Sequence, residues 1–351
     1  MATKTRHRKP KPGPVETTVQ EPLARPAPLP WLTVEVALVG LVVVLAVALR
    51  LWKLAAYPLS DAEAGQSLSA LALYRGDPLP DTPYSPLMTT LAAAAFLLFG
   101  DSTFAVRLGP AVLGVLLALL PLTLRRRLGR RAALIAAFLL ALSPTALYLS
   151  RTVNAEIGAA AGALMAVTGF FNWMDDHRPR WLYLLAGGLA LLVTAGPTAL
   201  TILLVFAVYL AWQRRALAGW LSAPPAAAPT GDGSGPDSGP QAVPWSRFAL
   251  FGAGLAVVLA TSGGFNPSGL AQLPGFAGAW LARFGWQTLP RAGFNAAFLL
   301  AVYEPLVVVA GLIGLTDALL NRDRFRLGLV LWLVIAFLAD LLMGGRPQGH
   351  V

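Results

Sequence analysis

The stretch WLTVEVALVGLVVVLAVALRLW, at residues 31–52, constrains the fold of this chain more than any other feature. About 20 apolar residues are enough for a helix to cross a bilayer. The rest of the chain fits this pattern, because 56% of its residues are hydrophobic and only 13% are charged, against about 25% charged in soluble domains. We therefore predict an all-α, polytopic membrane protein.

Apolar segments follow one another along the whole chain. The segment at 84–99 is short and Ala-rich, so the positive-inside rule must decide whether it crosses the membrane. If it does not cross and the N-terminus is cytoplasmic, 19 of the 27 Lys and Arg residues lie inside, whereas only 11 do if it crosses. The rule therefore predicts about nine transmembrane helices in the cell membrane, a cytoplasmic N-terminus, and a large first extracytoplasmic loop (54–103) containing amphipathic or juxtamembrane helices.

Composition divides the chain into four parts. Residues 1–30 are basic and Pro-rich, which predicts a disordered cytoplasmic tail. Residues 31–215 form an N-terminal transmembrane module, and residues 221–245 are rich in Pro, Gly, Ser and Ala, which predicts a flexible cytoplasmic linker. Residues 246–351 form a C-terminal group of transmembrane segments that we predict to be incomplete.

The net charge of +10 does not indicate a nucleic-acid partner, because the arginines lie in short clusters between apolar segments. The chain has no Cys, so neither a disulfide nor a Cys-ligated metal site is expected. Its three His residues are scattered at His7, His177 and His350, which makes a His-based metal site equally unexpected.

Two acids, Asp61 and Glu63, follow the first apolar segment in the stretch PLSDAEAGQS at 58–67. This stretch predicts a helix that begins at Ser60 or Asp61 and ends at Gly76. Two roles stay open for the acids. They favour a helix N-terminus without any further function, or one of them is a general base or metal ligand at the membrane surface.

Two further groups of polar residues lie at the predicted outer ends of apolar segments. Arg151 either fixes its helix at the interface or neutralises a phosphate, and Glu156 either caps the next helix or faces the same cavity as Asp61. Tyr303 and Glu304, in FLLAVYEPLVV, mark a third position, where an acid is costly unless it faces protein or water.

Three stretches carry a family resemblance: FGDSTFAVRLGPAVLG at 99–114, RRRLGRRAAL at 125–134 and LALSPTALYLSR at 140–151. Together with the acids of the first loop, they resemble the N-terminal half of GT-C glycosyltransferases. More narrowly, they resemble glycosyltransferase family 39, the dolichyl-phosphate-mannose–protein mannosyltransferase-like membrane proteins. The resemblance is close over residues 45–215 and loose over 263–340.

The resemblance implies a polyprenyl-phosphate-linked sugar as donor and a hydroxyl on a protein or glycan as acceptor, with transfer at the extracytoplasmic side of the lipid membrane. It implies Asp61 and Glu63 as catalytic residues. It implies no organic cofactor, and a divalent cation is one way to stabilise the departing phosphate. The residues that it implies for binding the substrate or its phosphate are Arg151, Glu156, Tyr303 and Glu304.

The sequence departs from the family pattern at three places. Ala62 precedes Glu63 where family members often carry Asp, and Glu156 stands where Asp is usual. Gly196 and Pro197 stand where related proteins carry Lys-Glu, so one cation for the phosphate is missing. These departures keep two other functions open: a catalytically degenerate GT-C-like scaffold or lipid-binding partner in envelope assembly, and a transporter.

Overall fold

The structure, a computed structural model, describes residues 34–79, 84–214, 245–284, 301–321 and 324–342, and every regular element within these ranges is helical. The predicted tail and, apart from Trp245, the predicted linker lie outside the described residues. In chain order the helices are α1 (Val34–Leu51), α2 (Asp61–Arg75), α3 (Pro86–Phe99), α4 (Thr103–Leu119), α5 (Arg125–Leu128), α6 (Arg130–Leu142), α7 (Pro144–Arg151), α8 (Ala155–Asp176), α9 (Pro179–Ala195), α10 (Thr198–Trp212), α11 (Trp245–Ala260), α12 (Ser268–Leu281), α13 (Pro305–Asn321) and α14 (Arg324–Leu342). A 3-10 helix, Leu120–Leu124, joins α4 to α5.

Three of the described helices are long and apolar enough to cross a membrane: α1, the continuous run Thr103–Leu128, and α8. The pair α6 and α7 makes a fourth if it is counted as one span bent by 55°. Shorter apolar helices are α3, α9, α10, α11, α13 and α14. The chain is therefore a helical membrane protein, as predicted, and the number of nine spans stays a prediction.

The apolar segment at 132–149 is not one straight helix, because α6 ends at Leu142 and α7 begins at Pro144. Pro144 has no backbone N–H and suits the first position of a helix. The Ser143 hydroxyl accepts a hydrogen bond from the backbone N–H of Ala146 and caps the new helix. Both features end one helix and start another at the same point.

Ion pairs gather at one end of the bundle, which we call the basic end and define by Glu35 and residues 125–131 and 175–180. Arg130 lies 3.5 Å from the Glu35 carboxylate. Arg127 donates to both oxygens of Asp175, at 2.9 and 2.5 Å, and Arg126 pairs with Asp176. The start of α1, the turn between α5 and α6 and the turn between α8 and α9 therefore lie at the same end of the molecule.

The opposite end, which we call the loop end, comprises residues 52–60, 152–154, 196–197 and 261–267. The first half of helix α3 contacts it. The Ser85 hydroxyl donates to the carbonyl of Ala195 at 2.5 Å, and the Thr90 hydroxyl donates to the carbonyl of Leu259 at 2.6 Å. These carbonyls belong to the last turns of α9 and α11. The contacts therefore place the start of α3 at the loop end, and whether 84–99 crosses stays a prediction.

Close contact between α8 and α9 forms the centre of the bundle. A Cβ atom on Gly188 of α9 would lie 2.6 Å from the carbonyl oxygen of Gly162 and 2.6 Å from the backbone N of Ala166, both on α8. A Cβ atom on Gly169 would lie 2.5 Å from the backbone N of Leu185. Small residues of this kind let two membrane helices approach until their backbones touch.

Candidate active site

The Glu63 carboxylate lies inside the loop end and is only 4% exposed. Ser60 is the N-cap of α2, and its hydroxyl accepts from the backbone N–H of Glu63 while Glu63 Oε2 accepts from the backbone N–H of Ser60 at 3.0 Å. This reciprocal arrangement is a capping box. Gly76 ends the helix in the left-handed conformation, with φ of 78°. The predicted helix is thereby confirmed, with Ser60 as its cap.

Arg107, on α4, forms a bidentate ion pair with Glu63. Its Nε donates to Oε1 and its Nη2 to Oε2, both at 2.9 Å. The same guanidinium donates to three carbonyls of the loop that precedes α2, those of Leu54, Tyr57 and Pro58, at 3.0–3.1 Å. Arg107 therefore fixes the whole connection between α1 and α2 onto α4.

Glu63 also joins α2 to α8, because its Oε1 accepts from the backbone N–H of Val153 at 3.1 Å. Burial raises the pKa of the Glu63 carboxyl, but the hydrogen bonds from Arg107, Ser60 and Val153 and the charge of Arg107 outweigh burial and lower it overall. The two oxygens accept five hydrogen bonds in all, so their acceptor sites are filled. Glu63 is an ionised carboxylate that holds three helices together.

Asp61 has the opposite surroundings, although it is only two residues away. It is the first residue of α2, its side chain is exposed, and its carboxylate makes no hydrogen bond or ion pair with any described residue. Glu156, in the first turn of α8, is likewise exposed and without a partner in the described part of the chain. Since the Glu63–Val153 hydrogen bond joins the starts of α2 and α8, both free acids lie at the loop end.

Two cations lie at the same end. Arg151 is the last residue of α7, and its guanidinium donates to the carbonyl of Leu49 at 2.5 Å and to that of Lys53 at 3.4 Å. The side chain of Lys53 is exposed and has no partner among the described residues. Arg151 thus fixes the end of α1 and brings the backbone of Lys53 beside α7.

Glu304 lies away from this group. Its Oε1 accepts from the Ser143 hydroxyl at 2.5 Å and from the backbone N–H of Thr145 at 2.9 Å, so it caps the first turn of α7. Arg151 stands at the other end of that eight-residue helix, about 12 Å long at 1.5 Å per residue. Tyr303 is 60% exposed. The structure brings Asp61, Glu63, Arg151 and Glu156 to one end and places Glu304 at the break between α6 and α7.

Sequence analysis missed Arg107, Arg50 and Lys53. Arg50 is fully buried and donates to the carbonyls of Leu140 at 3.0 Å and Ala141 at 3.3 Å, at the end of α6. A signal for the two arginines was present, because a lone charged residue inside an apolar segment needs a partner within the protein. Within the described residues, no three His, Cys, Asp or Glu side chains gather in a way that could hold a metal ion.

The fold and the site together define a helical membrane protein with two exposed acids, Asp61 and Glu156, and two cations, Lys53 and Arg151, at its loop end. A family model described as dolichyl-phosphate-mannose-protein mannosyltransferase matches residues 81–225, less than half of the chain. The crystal structure of the Archaeoglobus fulgidus oligosaccharyltransferase in the apo form matches with a TM-score of 0.53 over 88% of this chain, at 17% sequence identity. The partial family match and the shared fold both support the resemblance to the GT-C superfamily of membrane glycosyltransferases.

The matched part covers 48% of the archaeal enzyme, so the chain spans about half the length of that protein. At this level of identity the likeness shows the fold alone. A comparison with the sequences of curated proteins gives no significant match.

Proposed function

We propose that the protein transfers a sugar from a polyprenyl-phosphate carrier to an acceptor hydroxyl on a protein or glycan, at the extracytoplasmic face of the cell membrane. The GT-C fold and the description of the matching family support this function. The observation that carries it is Asp61, an exposed carboxylate without a partner in the described chain, held at the start of a helix by the buried Glu63–Arg107 pair. A free carboxylate on a fixed support is what a general base requires.

In this mechanism Asp61 accepts the proton of the acceptor hydroxyl as the hydroxyl oxygen attacks the anomeric carbon. The bond between that carbon and the phosphate oxygen breaks, and polyprenyl phosphate departs with the electron pair. Glu156 lies on the neighbouring helix start, where it orients the acceptor or the sugar hydroxyls. Glu63 acts through position, because its own acceptor sites are filled by Arg107, Ser60 and Val153.

The departing phosphate needs positive charge or hydrogen-bond donors nearby. The Lys53 ammonium group has no partner among the described residues, and Arg151 uses only part of its five N–H donors on the carbonyls of Leu49 and Lys53. We assign these two cations to the phosphate. They would replace the Lys that related proteins carry where this chain has Gly196. We keep Tyr303, which is exposed, as a proposed substrate contact, and propose that Glu304 acts indirectly by fixing α7 and therefore Arg151.

The test uses the purified full-length protein with polyprenyl-phosphate mannose and polyprenyl-phosphate glucose, and it measures the released polyprenyl phosphate. We expect Asp61→Asn to lower the rate roughly 10²–10⁴-fold, the usual contribution of a general base, without lowering the melting temperature. Asp77→Asn is the matched control, because Asp77 is an exposed acid in the same loop at the other end of α2. Equal rates for wild type and Asp61→Asn would show that Asp61 is not the base.

A catalytically degenerate GT-C-like protein is the second candidate, since Glu63 is fully engaged and Gly196 stands where related proteins carry Lys. It predicts that the wild type binds the lipid-linked sugar without releasing polyprenyl phosphate. Binding would be measured by retention of the labelled donor on the purified protein. Release by the wild type that Asp61→Asn abolishes would exclude this candidate.

A further inference from the structure

A cleft of about 340 Å³ opens at the basic end, between the α5–α6 segment on one side and α13 and α14 on the other. This volume is in the range of roughly 300–1,000 Å³ that ligand sites occupy. Its charged lining residues, Arg127, Arg326 and Asp317, have partly exposed side chains, which places them at its rim. The other described lining residues are apolar or Gly and include Gly311, Gly314, Leu315, Val330 and Leu333.

The cleft exists because α13 is held at its two ends and not along its length. At one end Glu304 caps α7. At the other, α14 begins at Arg324, three residues after the last residue of α13, and its Phe325 is buried against Phe171, with ring centroids 4.7 Å apart. Between these points a Cβ atom on Gly311 or Gly314 would meet no other atom within 4 Å. An apolar gap that faces a bilayer takes up hydrocarbon, because water finds no hydrogen-bonding partners there.

The charge around the rim selects the headgroup. At the basic end the described arginines, at 125–127, 130, 131, 178, 180, 214, 247 and 326, outnumber the described acids, at 35, 175, 176 and 317. Arg326 pairs with Asp317 in a contact whose side chains are 35% and 50% exposed. An exposed pair of this kind is weak, and a guanidinium has five N–H donors. Arg326 can therefore donate to a phosphate while one N–H stays on Asp317.

We propose that this cleft binds an anionic phospholipid, with an acyl chain against Gly311 and Gly314 and the headgroup phosphate at Arg326 and Arg127. The site lies at the end of the bundle opposite Asp61, so it is separate from the proposed transfer site. Its occupant fills the gap between α13 and the α5–α6 segment, which protein side chains leave open.

The experiment reconstitutes the full-length protein in nanodiscs of equal amounts of phosphatidylglycerol and phosphatidylcholine with identical acyl chains. Lipids retained after detergent extraction are then counted by native mass spectrometry. We expect the wild type to retain more phosphatidylglycerol than phosphatidylcholine. Gly314→Leu fills the cleft and should lower the retained lipid at least fivefold, whereas Gly40→Leu, at another open glycine in a membrane helix, should not.

A second pair of variants tests the headgroup. Arg326→Gln should remove the preference for phosphatidylglycerol. Arg130→Gln is the control, because Arg130 is exposed at the same end but lies outside the cleft, and this variant should keep the preference. Unchanged retention in Gly314→Leu, or no preference in the wild type, would overturn the proposal. A wild-type dimer that Gly314→Leu converts to a monomer would also overturn it, because a second copy of the chain would then cover the cleft.

Discussion

Asp61 and Glu63 stand two positions apart at the start of α2 and point in different directions. In a helix of 3.6 residues per turn, neighbours two positions apart point about 200° away from each other. Glu63 therefore faces α4 and α8, and Asp61 faces outward. Sequence analysis assigns the two acids the same role. Helix geometry nevertheless gives them different surroundings.

The buried ion pair gives the first prediction for stability. Glu63→Gln should lower the free energy of unfolding by roughly 3–5 kcal/mol, because it leaves the guanidinium of Arg107 buried without a countercharge. Thermal unfolding of the purified protein in detergent measures this loss. Asp77→Asn, which changes an exposed acid of the same loop, should melt like the wild type. A Glu63→Gln variant as stable as wild type would mean that the pair contributes nothing.

The same pair predicts how stability depends on pH. The pKa of Glu63 is lowered in the folded protein, so its ionised form contributes stability above the usual pKa of about 4.3, and that contribution is lost as the pH falls through the lowered value. The gap in melting temperature between wild type and Glu63→Gln should stay full down to about pH 5 and narrow only below about pH 4. A gap that narrowed between about pH 6 and pH 8 would contradict the assignment.

How far the site could be predicted differs from residue to residue. The capping pattern of Ser60 and Glu63 is local, so the sequence predicts the helix and its start. The partner of Glu63 is not local, because Arg107 lies 44 positions away and any of several arginines could have filled that place. Only the packing of α2 against α4 selects it.

At the scale of the element, the break between α6 and α7 places a buried charged side chain beside each of the two helix ends that it creates. Arg50 donates to carbonyls at the end of α6, where a helix carries partial negative charge. Glu304 accepts from the first turn of α7, where a helix carries partial positive charge. Each buried charge has the sign that its helix end requires.

The contact between α8 and α9 gives a prediction at this scale. Gly188→Leu should destabilise the protein by at least about 1–3 kcal/mol, the usual cost of overpacking, because its Cβ atom meets backbone atoms of Gly162 and Ala166 that cannot move aside. Melting temperature and yield of monodisperse protein measure the effect. Gly40→Leu is the control, since a Cβ atom there meets nothing within 4 Å.

The sequence predicts most helices because their apolar segments are long and end at Pro, Gly or charged residues. Sequence analysis treats 132–149 as a single apolar segment and so misses the bend at Ser143, although Pro144 within that segment signals a helix break. For the Ala-rich segment 84–99, the charge count of the neighbouring loops, and not the segment itself, predicts that it does not cross. The contacts of Ser85 and Thr90 show that the start of this helix lies beside the ends of α9 and α11.

At the scale of the whole molecule, the prediction concerns orientation: the basic end should face the cytoplasm. The chain has no Cys, so single cysteines can be introduced without a background. We expect Asp77→Cys, in the predicted outer loop 54–103, to react with an impermeant thiol reagent added to intact cells, and Arg131→Cys, at the basic end, to react only after the cells are opened. The reverse pattern would invert the orientation and place Asp61 in the cytoplasm.

The break between α6 and α7 also has a consequence for the order in which the molecule is completed during synthesis. Glu304 lies 161 positions after Ser143, so at about 5–20 residues per second it is made roughly 8–32 s later. The partners of Glu63 lie within 90 positions and are available much earlier. The nascent chain therefore closes its loop end first, and the bend inside the membrane is among the last features to reach its final form.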